Sequence, residues 1–122
     1  MDFDNNRPIY IQLVEDFKIK ISTGDWKAGS KIDSVRNLAT SYKVNPNTIQ
    51  RALTELEREG LCESQRTIGR FVTENVKKIK NLSNKAFTSF ADDFISGMES
   101  LNIKKDDALN ELKDYWEELW LK

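Results

Sequence analysis

Apolar residues in the first third of the chain recur with the spacing of a buried helix face. After Pro8, the residues Tyr10, Leu13, Val14, Phe17 and Ile21 follow a helical period, and Gly24 stands where a C-cap belongs. This predicts a first helix over residues 8–23. A turn carrying Asp25, Lys27 and Gly29 leads to Asp33 and Ser34, either of which can cap a helix of about two turns. Its apolar positions are Val35, Leu38, Ala39 and Tyr42. After Lys43 and Val44 comes the clearest signal in the chain. Asn45 supplies a capping oxygen, Pro46 takes the first helical position, and Ile49, Ala52, Leu53 and Leu56 form a stripe that Gly60 ends.

Beyond Gly60 the texture changes. The runs LCESQ, RTIG and RFVT read as two short strands around a turn, entered by Leu61 and Cys62 and left by Phe71 and Val72. Helical spacing returns with Val76, Ile79, Leu82, Phe87, Phe90, Phe94, Met98 and Leu101. A break at Asn102 then precedes a last stripe of Ala108, Leu109, Leu112, Tyr115, Trp116, Leu119 and Trp120. The expected fold is mainly α with a small β-wing: a winged helix-turn-helix over 1–73, followed by a two-helix C-terminal hairpin over 74–122. Leu13, Phe17, Leu38, Ile49, Leu53 and Phe71 are the expected core of the winged helix.

Composition narrows the chemistry. With 122 residues, 39% of them hydrophobic, there is room for one compact domain or a small domain with an appendage. Histidine is absent and cysteine occurs once, which removes histidine-based triads, Cys/His zinc sites, intramolecular disulfides and histidine pH switches. No catalytic residue, cofactor or metal site is expected, and the chain does not read as an enzyme. No apolar run approaches the roughly 20 residues of a membrane span, and the start MDFDNN is acidic where a secretory signal would be basic. The expectation is a cytoplasmic protein without a membrane partner.

The outward face of the third helix carries the functional argument. With its apolar stripe inward, Asn47, Arg51, Thr54 and Arg58 point outward, and Thr48 and Gln50 lie on the flanks. Such amide, hydroxyl and guanidinium groups match major-groove edges, since Asn or Gln can bond adenine and Arg guanine. The alternative is an ordinary solvated helix face. Charge gives local support only, because 19 basic against 20 acidic residues leave a net charge of -1. Residues 24–72 hold eight basic and six acidic side chains. The acids of the third helix sit in its last turns, while Arg36, Arg51, Arg66 and Arg70 lie at helix starts and in the wing.

The run AGSKIDSVRNLATSYKVNPNTIQRALTELEREGL, preceded by PIYIQLVEDFKIKISTGDW and followed by a wing ending IGRFVT, resembles the N-terminal domain of GntR-family bacterial transcription regulators. NPNTIQRALTELEREGL with two terminal helices is similar to the short YtrA-type subfamily. The resemblance implies a phosphate contact for Arg36 with Ser34 beside it, recognition-helix contacts for Asn45, Asn47, Thr48, Gln50 and Arg51, and wing contacts for Gly69 and Arg70. It departs from the family where Asp33 replaces a usual Pro, and where Thr67, Ile68, Gly69 and Arg70 replace a Gly-x-Gly-Thr wing. It also implies a repressor of a transporter operon, acting on double-stranded DNA.

Cys62, with no second thiol, reads as a core residue rather than a redox sensor. Gly97 marks either a kink or a close helix crossing. Lys77, Lys78 and Lys80 form a solvated face or a phosphate-contacting extension. The aromatics Phe87, Phe90, Phe94, Trp116 and Trp120 are too many for two helices to hide, which points to a homodimer built by residues 74–122. Packing back on the winged helix, or a pocket for a small-molecule effector, are the alternatives. The rival to a dimeric regulator on an inverted-repeat operator is a winged-helix protein-interaction module.

Overall fold

The computed structural model describes residues 1–121, and its first three helices begin at local signals in the sequence. Helix α1 (Ile9–Thr23) starts after Pro8 and ends at Gly24, whose φ of 82° is the left-handed cap that glycine accepts without strain. Helix α2 (Val35–Tyr42) is capped by Ser34, and α3 (Pro46–Arg58) by Asn45 with Pro46 at its first position. Strands β1 (Cys62–Gln65) and β2 (Gly69–Val72) form an antiparallel pair. Helix α4 (Val76–Ser100) and helix α5 (Lys105–Trp120) complete the chain. The fold is therefore a mainly helical winged helix-turn-helix followed by two C-terminal helices.

Helix α3 packs on α1, α2 and β1, so the core forms around it. Leu13, Phe17, Ile21, Ile49, Leu53 and Leu56 are almost wholly removed from water, with Leu38, Leu61, Cys62 and Val72 closing the cluster. Trp26 stacks on Phe17 at 4.9 Å between ring centroids, and Tyr42 meets the same ring edge-on at 5.6 Å. Phe71, expected in the core, lies elsewhere. The strand register sets Cys62 opposite Val72 and Glu63 opposite Phe71, and successive side chains alternate faces. Val72 therefore turns inward and Phe71 stays half-buried on the other side.

Two further features were not expected from the pattern. The segment before α2 makes an isolated antiparallel bridge to β2 at Lys31 and Phe71: Ile32 N–H donates to the Arg70 carbonyl at 2.9 Å, and Val72 N–H to the Ser30 carbonyl at 2.9 Å. Ahead of α1, the buried Gln12 side chain clasps the first residues. Its Oε1 accepts from Asp4 N–H at 2.8 Å, and its Nε2 donates to the carbonyls of Asp4 at 2.7 Å and Arg7 at 3.0 Å.

The chain forms two compact units, Met1–Asn84 and Lys85–Lys122. The opening turns of α4 belong to the first, where Ile79 and Leu82 pack against the core. In the second, the α4 to α5 turn is closed by Asn102 at φ 58° and by Ile103 N–H donating to the Met98 carbonyl at 3.0 Å. Ala108 is its one buried residue among those described. Phe87, Phe90, Tyr115, Trp116 and Trp120 are exposed and Phe94 is half-buried. Nothing approaches within 4 Å of the space a side chain at Gly97 would take, so no close helix crossing occurs there among the described residues.

Candidate nucleic-acid interface

Three elements frame the candidate surface: the N-terminus of α2, the first turns of α3, and the wing. At α2, Asn37 N–H donates to Ser34 Oγ at 3.1 Å, while Asp33 Oδ1 accepts from Ser34 N–H at 2.8 Å and from Asn37 Nδ2 at 2.9 Å. Asp33 thus braces the cap from outside. Arg36 is exposed one residue into the helix. At α3, Asn47 N–H donates to Asn45 Oδ1 at 2.7 Å. Ser34 and Asn45 each commit a side-chain oxygen to a cap.

Along α3, Asn47, Gln50 and Arg51 are exposed and Thr48 is half-buried. Thr54, although outward, turns its hydroxyl back to donate to the Gln50 carbonyl at 2.8 Å. Arg58 is also turned aside, pairing with Glu55 through Nε at 3.0 Å and through its terminal nitrogen. That hydrogen bond is the main cause holding the Glu55 carboxyl below its ordinary range. Glu59 pairs with Lys18 at 2.9 Å, and Glu57 accepts from the Ser64 hydroxyl while lying 3.6 Å from Arg70 Nε. Every carboxylate of α3 is therefore matched by a donor of the protein itself, and none faces the open first turns.

The wing differs most from expectation. Arg70 shares its strand face with Val72, and its side chain is only 18% exposed, turned toward Glu57 with Nε buried and without an acceptor. It is a strut between wing and α3 rather than a solvent-facing tip residue. Gly69 has φ 131°, a backbone conformation that strains any L side chain, while the Lys31 Cε that a Cβ would meet at 2.9 Å belongs to a flexible side chain that can move. The exposed tip is Arg66, Thr67 and Ile68, with Thr67 in the left-handed region at φ 63°. Behind this surface Cys62 is buried, its thiol 3.8 Å from the Leu53 carbonyl, and burial pushes its pKa up to about 11. It is a core thiol, and Lys77, Lys78 and Lys80 are solvated.

A contact that spacing could not reveal joins α1 to this face. The guanidinium carbon of Arg51 lies 3.8 Å from the centroid of the Tyr10 ring. The partners are distant in sequence and meet because α1 packs along α3.

The model of the bacterial regulatory proteins of the gntR family matches residues 9–72, more than half of the chain. The chain belongs to the GntR family. It is a DNA-binding transcriptional regulator and not an enzyme. A GntR family transcriptional regulator from Listeria monocytogenes superposes with a TM-score of 0.86 at 40% identity, over 92% of this chain and 98% of that one. The HTH-type transcriptional regulator YhcF of Bacillus subtilis, described as uncharacterized, is 33% identical over 94% of this chain and 95% of its own length. The HTH-type transcriptional repressor YtrA of Bacillus subtilis is 43% identical over 63% of this chain and 59% of its own. Within the GntR family this likeness places the chain with the YtrA-type members. Among the described residues, no helix of this GntR regulator is long and apolar enough to cross a membrane.

Proposed function

We propose that the protein is a repressor that binds an inverted-repeat operator as a homodimer, with α3 of each protomer in the major groove. The observation that carries this reading is the division of charge along α3. Its first turns offer Asn47, Gln50 and Arg51 to solvent, while the carboxylates of its later turns are held by Arg58, Lys18, Ser64 and Arg70. A major groove would meet donors that pair with adenine and guanine edges, with Thr48 at the flank. Arg36 and the capped N-termini at Ser34 and Asn45 meet phosphates on either side. Gly69 lets the wing backbone approach the duplex, and Arg70 holds the wing in place from behind. A double-stranded DNA ligand supports a cytoplasmic location.

Dimerisation is supported by the second unit. Leu112, Tyr115, Trp116, Leu119 and Trp120 line one shallow cleft, all of them from α5. A cleft with a single helix for its wall suits a second protein surface better than a small-molecule effector. Five aromatics burying about 150 Å² each would supply about 750 Å², one partner's share of a standard interface. The likeness to a repressor, YtrA, supports repression, and the YtrA-type resemblance supports a transporter operon as target.

The test is binding of the full-length protein to duplexes it selects from random DNA. Arg51→Ala should cost about 1 to 3 kcal/mol on the selected site and little on random DNA. Arg36→Ala should weaken both and lower the log-log salt slope by about one. Footprints of the dimer should repeat on one DNA face at about 34–36 Å. Affinity that is independent of salt and of sequence would refute the reading.

A further inference from the structure

The Tyr10–Arg51 contact has a consequence for how the candidate interface reads DNA. We infer that Tyr10 is a positioning residue for Arg51, fixing its guanidinium for base recognition without spending its hydrogen bonds. The inference rests on the reading of α3 as the base-contacting helix.

The geometry supports three steps. First, the guanidinium carbon is 3.8 Å from the ring centroid. A nitrogen aimed straight into the ring, about 1.3 Å further along, would stand about 2.5 Å from it, inside contact distance. That end-on approach is excluded, and the guanidinium carbon sits over the ring face. Second, a ring face is not a lone-pair acceptor of the kind that takes both teeth of the fork, so an arginine resting on it keeps in-plane donors for the O6 and N7 of a guanine. A carboxylate in the same place would occupy the fork, and no carboxylate pairs with Arg51 among the described residues. Third, the ring is itself held. Tyr10 is half-buried in the first turn of α1, and the adjacent turns of that helix carry the core residues Leu13, Val14 and Phe17.

A free arginine on a helix surface samples many rotamers and loses that freedom on meeting a base. A ring that restricts it beforehand moves part of that loss into folding, so the bound geometry is populated before DNA arrives. The contribution appears on DNA whose bases Arg51 reads and not on DNA it touches only through phosphates.

The experiment compares full-length wild type, Tyr10→Phe, Tyr10→Leu, Arg51→Ala and the double variant Tyr10→Leu/Arg51→Ala. Each is titrated with a duplex selected by the wild type and with random duplex, and its thermal midpoint is measured. Tyr10→Leu should weaken the selected duplex about 2- to 30-fold per half-site and leave random DNA within about twofold. Tyr10→Phe keeps the ring face and should bind as wild type. In the Arg51→Ala background, Tyr10→Leu should add nothing. Additive losses, or equal losses on both duplexes with a lowered midpoint, would overturn the inference in favour of a structural role. A loss in Tyr10→Phe matching that in Tyr10→Leu would overturn it in favour of a hydroxyl contact. If Arg51→Ala binds the selected duplex as tightly as wild type, base reading by Arg51 falls, and the inference with it. If Arg51→Ala loses affinity and Tyr10→Leu does not, the inference fails alone.

Discussion

Replacing Trp116 by Ala should convert the proposed dimer to monomers while leaving each winged helix intact. Trp116 is 58% exposed in the protomer. With about 250 Å² for a tryptophan, about 140 Å² of it awaits cover, worth about 3 kcal/mol at about 25 cal/mol per Å². A two-fold interface uses the residue twice, so the substitution removes about 6 kcal/mol from association, about four orders of magnitude in the dissociation constant. Because the side chain makes no part of the protomer's core, the loss should fall on association and not on folding. Sedimentation velocity over a range of about 1 to 100 μM resolves such a change, and the DNA-free protein suffices. A wild-type chain that is monomeric throughout, or a Trp116→Ala chain that dimerises as before, would refute the assignment of this face. Retained dimerisation would point to an interface on the winged helix instead.

Two further predictions follow from packing and ionisation. The Cys62 thiol has a folded pKa of about 11 against an ordinary 9.0, so its stabilisation is whole below pH 9 and lost as pH rises toward 11. Chemical denaturation across that window should show a fall on the order of 2 to 3 kcal/mol that is absent from Cys62→Ala. Burial and its bond to Asp16 also raise the Tyr42 pKa above 10.0, so the comparison is cleanest in a Tyr42→Phe background. A fragment of residues 1–84 should be more stable than one of residues 1–73 by about 1 to 3 kcal/mol. Only the longer one keeps Ile79 and Leu82 on the core. Equal denaturation midpoints would show those contacts to be idle.

Signals that act within a few residues were legible in the sequence. Ser34, Asn45, Pro46 and Gly24 act on their own helix ends, and the stripe of Ile49, Ala52, Leu53 and Leu56 decides which face of α3 is buried. What depends on distant partners was not. The bridge at Lys31 exists because β2 offers a free edge, and nothing in three or four residues announces it. Phe71 faces away from the core because the register, set by Cys62 opposite Val72, turns Val72 inward and alternation sends Phe71 to the other face. Arg70 turns inward for the same reason of alternation, toward a carboxylate on another element. The ring beneath Arg51 comes from a helix whose own pattern marks Tyr10 only as apolar.

The clasp that Gln12 places on Asp4 and Arg7 gives one amide a share in holding the start of the chain, beside Phe3 on the core and the Arg7–Glu15 pair. Its nitrogen faces two carbonyls, so hydrolysis of the amide to a carboxylate would set an anion against two acceptors at almost unchanged size. Deamidation at this site would be nearly invisible in shape and composition. An aged preparation would keep its core and its α3 intact and yet have lost one of the ties that fix the beginning of its fold.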